Sequence, residues 1–226
     1  MAVINDPNVA ANVAYVGPVS TATTQFPLHI SNRPIPHGAL GHYRTGVKLT
    51  MATTQAANSR LFEIRNTHAT NLIIPTRIAV RVMSSGTVTT PYMGEIGLWK
   101  LTGFTAVDTT NTVTPTSSAK RSTMAAYPGS AAVRHNTIAG AAAGMTGGTL
   151  VKDANQLASL FFNAGTFTTI TSQSFFGEFL EGDIYTHPLV LAQNEGFEIE
   201  NVVVGSGTAN VIQVFIDVSW ADVVAF

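Results

Sequence analysis

Apolar and polar residues alternate over several stretches of the chain. Val47, Leu49 and Met51 alternate with Lys48, Thr50 and Ala52, and Ile78, Val80 and Val82 stand among Arg77, Ala79 and Arg81. Near the end, Ile212, Val214, Ile216, Val218 and Trp220 share one parity, with Gln213, Asp217 and Ser219 on the other. A period of two sets one face of a strand on a core and turns the other outward. Further strands are expected at 60–66, 95–105, 167–171, 188–191 and 197–204. Many short strands separated by Gly, Pro, Asn and Thr predict an all-β fold, a jelly-roll-like antiparallel β-sandwich. One short helix is predicted after Asp153, an N-cap residue, with Leu157, Leu160 and Phe161 on one side and Gly165 as its stop. The Gly/Ala tract 138–148 reads as a loop or a close backbone crossing. The Thr-rich stretch 105–118 reads as an extended surface loop, and Gly205-Ser206-Gly207 as a hairpin turn.

Residues 1–45 have a different texture. Pro7, Pro18, Pro27, Pro34 and Pro36 interrupt them, and proline fixes φ and removes a hydrogen-bond donor, so this part is extended. Val9, Val13, Tyr15, Val16, Phe26, Leu28 and Ile30 are too apolar for a solvated linker. The expected organisation is an N-terminal arm over 1–45, laid along a neighbouring subunit, and a β-sandwich domain over 46–226. A chain of 226 residues fits one domain plus an arm.

Charge changes this picture most. Charged residues are 11% of the chain, against roughly 25% in an average soluble protein. The surface is therefore built from Thr, Ser, Asn, Gln, Gly and Ala, or is covered by other chains. Twelve basic and thirteen acidic residues give a formal charge of −1, without the basic excess of a nucleic-acid binder. There is no Cys, which removes disulfides, thiolate zinc sites and thiol nucleophiles. The N-terminus lacks the pattern of a signal peptide, and no run of about 20 apolar residues is present.

Candidate chemistry is sparse. His29, His37, His42, His68, His135 and His187 are scattered, with no close ligand pair. Glu178, Glu181 and Asp183 form the densest acidic group, without the spacing of a calcium loop. Neither Gly-rich tract ends in a phosphate-loop Lys. Adjacent aromatics occur at Phe161-Phe162 and Phe175-Phe176. Neighbours on a strand point to opposite faces, so one of each pair is expected to leave the local core.

The C-terminal third carries a longer pattern. Thr186 to Asn201 (THPLVLAQNEGFEIEN) is followed by Gly205-Ser206-Gly207-Thr208 and by a final strand through Val214 to Trp220. Upstream stand Leu61-Phe62-Glu63-Ile64-Arg65-Asn66, Pro75-Thr76-Arg77 and Gly103-Phe104-Thr105-Ala106-Val107-Asp108. Over residues 45–226 this set resembles structural proteins of tailed bacteriophage virions. The resemblance implies a non-enzymatic, homo-oligomeric shell component, assembled in the host cytoplasm and resident in the virion. The function expected is that of a capsid decoration (cement) protein. Its expected partners are itself, as a trimer, and the major capsid protein, with no cofactor, no membrane and no direct nucleic acid. The residues chosen as interface contacts are Phe26, Leu28, Ile30, Tyr43, Trp99, Phe162 and Phe176. Two alternatives stay open: a tail, collar or baseplate protein, and a carbohydrate-binding host-attachment module using exposed Trp99 with Tyr92 or Trp220 with Asp222.

Overall fold

The computed structural model describes residues 40–84, 86–115, 126–137, 141–165, 173–180, 188–205 and 212–224 in full, and the backbone alone at 2–4, 14–16, 119–120 and 181. Two compact units divide at Arg33 and Pro34. In the first, β1 (Ala2–Ile4) pairs antiparallel with β2 (Ala14–Val16). The interface candidates Phe26, Leu28 and Ile30 lie outside the described residues. The second unit begins its first strand at Gly41, so residues 41–45, assigned above to the arm, belong to the sandwich.

That unit contains β3 (Gly41–Thr50), β4 (Ser59–Asn66), β5 (Leu72–Ser84), β6 (Tyr92–Ala106), β7 (Thr112–Val113), β8 (Ala119–Lys120), β9 (Ala131–Asn136), β10 (Thr149–Ala164), β11 (Ser174–Glu181), β12 (Gly196–Asn201) and β13 (Ile212–Val223). One sheet has the order β11-β5-β13-β3-β8 and the other β10-β6-β12-β4-β9-β7, with every pairing antiparallel. Eight strands, β3, β4, β5, β6, β10, β11, β12 and β13, interleave between the sheets in the double Greek-key order of a jelly roll. The chain crosses to the other sheet at nearly every connection. Of the expected hairpin turn, Ser206 and Gly207 lie outside the described residues; the strands before and after it, β12 and β13, lie in opposite sheets and do not pair. Leu191 makes a single bridge to Ile73 and Pro188 is not in a strand. Segment 167–171 lies outside the described residues.

The core sits between the two inner faces. The five-stranded sheet contributes Tyr43, Leu49, Ile78, Val80, Val82, Val214, Ile216, Val218 and Trp220; the other contributes Phe62, Ile64, Ile96, Leu98, Val133, Phe162, Phe197 and Ile199. The expected parity holds along β3, β5 and β13, whose inward residues are nearly all fully buried.

No helix follows Asp153. Residues 149–164 form one long edge strand, β10. Its register against β6 slips between Lys152 and Gln156 and again between Gln156 and Ala158. Each β-bulge resets the alternation in the first half. In the second half apolar residues stand on both faces, Leu157 and Phe161 outward and Leu160 inward, a spacing of three and four that imitates a helical face. Segment 105–118 is not a plain surface loop either. β6 runs to Ala106, Asp108 is fully buried, and β7 pairs with β9. The Gly/Ala tract does form a close crossing: Gly144, at φ +73°, lies where an added Cβ would stand 2.6 Å from the Arg60 backbone nitrogen.

Candidate functional site

Strand register gathers the outward side chains of the five-stranded sheet into rows that no single strand reveals. One row reads Phe176, Arg81, Phe215, Lys48 across β11, β5, β13 and β3. The Arg81 guanidinium lies 5.8 Å from the centre of the Phe176 ring, and Lys48 Nζ lies 5.5 Å from that of Phe215. The ring quadrupole attracts such cations. The next row reads Glu178, Ala79, Asp217, Gly46, followed by Arg77, Ser219 and Arg44. Arg44 donates to both Asp217 oxygens (Nε to Oδ1 2.8 Å, Nη2 to Oδ2 2.6 Å). Arg77 donates to Asp217 Oδ2 and to Glu178 Oε1, each at 2.8 Å.

Ala79 and Gly46 add almost no bulk between these longer side chains. Two shallow grooves result. One, about 530 Å³, is lined by Arg44, Lys48, Phe215 and Asp217 around Gly46. The other, about 310 Å³, is lined by Arg77, Arg81, Met83 and Phe176 around Ala79. Four cations stand against two carboxylates among the described side chains of this face, which is net positive. Its ion pairs are partly exposed and contribute at most about 1 kcal/mol each. Their effect is to hold the guanidinium groups in place beside the aromatic row.

The outer face of the six-stranded sheet is closed instead. The strands β4 and β12 set Glu63 opposite Glu198, and segments 107–111 and 141–148 cover them. Glu63, Asp108, Glu198 and Glu200 are all at most 1% exposed. The Asp108 N–H donates to Glu63 Oε1 at 2.8 Å, and the Gly148 N–H donates to Asp108 Oδ1 at 2.7 Å. Arg60 Nη2 donates to Asp108 Oδ1 at 2.8 Å. Arg60 Nε lies 2.8 Å from Asp108 Oδ2, yet its N–H is directed to the Met145 carbonyl. Lys152 Nζ reaches Glu200 Oε1 at 2.5 Å and sits 4.6 Å above the Trp99 ring, which crosses Gly97.

Two bases cannot offset four acids out of water. Burial, and then the Asp108 charge, push Glu63 up to about 8. Burial, and then the Glu200 charge, push Glu198 up to about 7. These carboxyls hold protons near neutrality and present almost no surface to a substrate. Among the described residues no group of three His, Asp or Glu side chains is placed to hold a metal ion. Glu178, from the acidic group singled out in the sequence, pairs with Arg77. The Asp183 residue and the Glu181 side chain lie outside the described residues.

The chosen interface residues separate sharply. Tyr43 is fully buried, with its ring centre 5.7 Å from that of Trp220. Phe162 is 4% exposed and stacks on Tyr92 at 5.7 Å. Trp99 is 7% exposed beneath Lys152. These three pack their own subunit and have little surface to offer another. Phe176 alone among the described candidates is open, at 51%. Each Phe pair divides as parity requires, with Phe161 and Phe176 outside and Phe162 and Phe175 toward the core. The other residues named for sugar binding are buried as well: Tyr92, Trp220 and Asp222 are at most 2% exposed.

Sequence reasoning missed the partners of Phe176, namely Arg81, Phe215 and Lys48, and it missed the buried acids. The aromatic and basic residues were visible on alternating strands, but the row depends on strand order. Glu198 and Glu200 alternate with Phe197 and Ile199, a pattern that ordinarily marks a solvated face. Comparison with protein-family models, with curated proteins and with solved structures returned no match. No helix of the described residues is long and apolar enough to cross a membrane.

Proposed function

We propose that this chain is a structural subunit of a bacteriophage virion, a capsid decoration protein that joins copies of itself and clamps the major capsid protein. The observation that carries this reading is the open face of the five-stranded sheet. There Phe176, Arg81, Phe215 and Lys48 stand in one row beside two grooves, on a chain with only 11% charged residues. Aromatic residues and Arg are enriched where proteins meet. An open sheet face suits contact with another surface, and the excess of cations calls for an acidic surface opposite. A clamp that binds only assembled subunits stabilises the lattice by mass action. The jelly roll recurs in viral capsid and lectin domains, an analogy of fold alone. The resemblance of residues 45–226 to virion structural proteins supports the same reading.

The test is attachment to capsids. Purified protein is mixed with heads lacking it and sedimented, beside a variant carrying Phe176→Ser and Arg81→Glu. The wild type is expected to cosediment in numbers that scale with the capsid lattice. The variant is expected to keep its melting temperature and to lose attachment. A folded wild-type chain that joins no head overturns the proposal, and a copy number of a few per particle moves the protein to a tail or baseplate ring.

A further inference from the structure

Among the described residues four strands end the two sheets, and they are finished differently. β7 and β8 are two residues long. β11 carries Glu178 and Glu181, has Gly177 at its middle and slips register after Glu178. Short edges, charges and bulges are the means by which proteins prevent unwanted strand pairing. β10 lacks them over its second half. Beyond the bulge at Leu157, residues 158–164 pair with β6 without interruption, and 156–164 contain no charge, no Pro and no Gly. Nine residues of strand make an edge about 30 Å long.

Apolar surface adjoins this edge. Leu157 and Phe161 are 51% and 69% exposed. Phe161 also lines an apolar groove of about 440 Å³ with Met93, Glu95, Asn163, Phe175 and Val203. Uncharged, apolar edges of this length are templates for another strand.

We propose that residues 156–162 of β10 pair antiparallel with the same residues of a second copy about a two-fold axis centred on Ser159. The partner is a second copy because nothing on the segment repels itself: antiparallel self-pairing brings the same short set of residues together, and here none is charged. The alternative edge, β11, would set Glu178 and Glu181 near their own copies. Centred on Ser159, the register sets Phe161 of each copy against Leu157 of the other, which covers the two exposed apolar side chains and joins two six-stranded sheets into one. Within a shell this contact links neighbouring copies of the chain, so it rests on the reading of the chain as an assembling subunit.

The chain has no Cys, so a single engineered thiol reports the contact directly. Ser159→Cys is expected to give an interchain disulfide under mild oxidation, since paired Cα atoms at a two-fold lie within the roughly 4.4–6.8 Å that a disulfide spans. Ser174→Cys, on exposed β11, is the control and is expected to stay reduced. In sedimentation, wild type is expected to weigh twice the 23.8 kDa chain at high concentration. Leu157→Lys with Phe161→Lys is expected to shift it to the monomer mass without lowering its melting temperature, because both positions are exposed.

A monomeric wild type, no Ser159→Cys cross-link, or cross-linking only between Ser159→Cys and Ser174→Cys chains overturns the two-fold pairing. Cosedimentation of the Leu157→Lys, Phe161→Lys variant with heads separates the two claims. A monomer that still attaches leaves the decoration role standing, whereas a self-pairing chain that attaches to no head removes that role and leaves the pairing.

Discussion

Replacing Glu63 by Gln tests whether the covered face is held by protons. Glu63 is fully buried and titrates at about 8 instead of the ordinary 4.5. A carboxyl whose folded pKa is raised binds its proton more tightly in the native state. Its contribution is complete below about pH 4.5, declines as pH rises, and is lost above about pH 8. At about 1.4 kcal/mol per pH unit, that interval sets a ceiling of about 5 kcal/mol. Glu63 shares its surroundings with Glu198 and Asp108, so a measurable part is about 2–4 kcal/mol. In the Glu63→Gln variant the amide oxygen keeps the acceptor for the Asp108 N–H, and the amide nitrogen takes the place of Oε2, which finds no partner. The carboxylate oxygens Asp108 Oδ2 and Glu198 Oε2 also lack hydrogen bonds.

Urea unfolding at pH 5, 7 and 9, at constant salt, reads the effect. Wild type and Glu63→Gln are expected to agree within about 1 kcal/mol at pH 5, because both are then uncharged at this position. At pH 9 the variant is expected to be the more stable by about 2–4 kcal/mol. Glu198→Gln, with its titration near 7, should remove the part of the decline that falls at lower pH. A difference between wild type and Glu63→Gln that is the same at every pH would refute the reasoning, because a lost contact does not depend on the solution's protons.

Other consequences can be measured on the same protein. Gly144→Ala drives a Cβ against the Arg60 backbone at positive φ and is expected to cost about 1–3 kcal/mol in urea unfolding, whereas Gly46→Ala, which meets open space, should stay within about 0.5 kcal/mol. Phe162→Ala is expected to cost about 3–5 kcal/mol by leaving a core cavity, and Phe161→Ala to leave the melting temperature of dilute protein almost unchanged. Attachment of the wild type to heads should weaken as salt rises from about 0.05 to about 0.5 M, since charges facing water are screened over about a Debye length; attachment that ignores salt would point to the apolar groups alone.

The parts of this fold legible in the sequence are those where one strand face meets water. In β3, β5 and β13 the outward positions are Lys48, Arg81 and Asp217, and parity announces the core by contrast. β10 was illegible because both of its faces carry apolar residues: Leu157 and Phe161 point outward and Leu160 toward the core, and the three together imitate a helical stripe. Parity did show that one Phe of each adjacent pair must point away from the core, but not which, because that depends on the neighbouring strand. Tyr43, Trp99 and Phe162 were misread for this reason: an aromatic residue looks the same in a sequence whether it anchors a partner or its own core. The burial of the β12 acids was not legible because the segments covering them, around Asp108 and Met145, lie some 50–90 residues earlier in the chain.

The two outer faces together explain how so few charges serve this molecule. The covered face gathers Glu63, Asp108, Glu198 and Glu200 with Arg60 and Lys152, four acids with two bases. The open face gathers Arg44, Lys48, Arg77 and Arg81 with Glu178 and Asp217, four bases with two acids. These twelve side chains are nearly half of all the charged residues in the chain, which number 25, twelve basic and thirteen acidic. The acids are drawn inward, and two of them keep their protons near neutrality, so their field is reduced where it would cancel the cations opposite. A net charge of −1 therefore conceals a sheet face that is locally positive. On the proposed reading, charge placed this way favours approach in one orientation, with the aromatic row following the cations onto an acidic surface. It leaves residues 156–164 at the β10 edge, which have no charge to steer or repel, to the shorter-ranged contact of strand on strand proposed above.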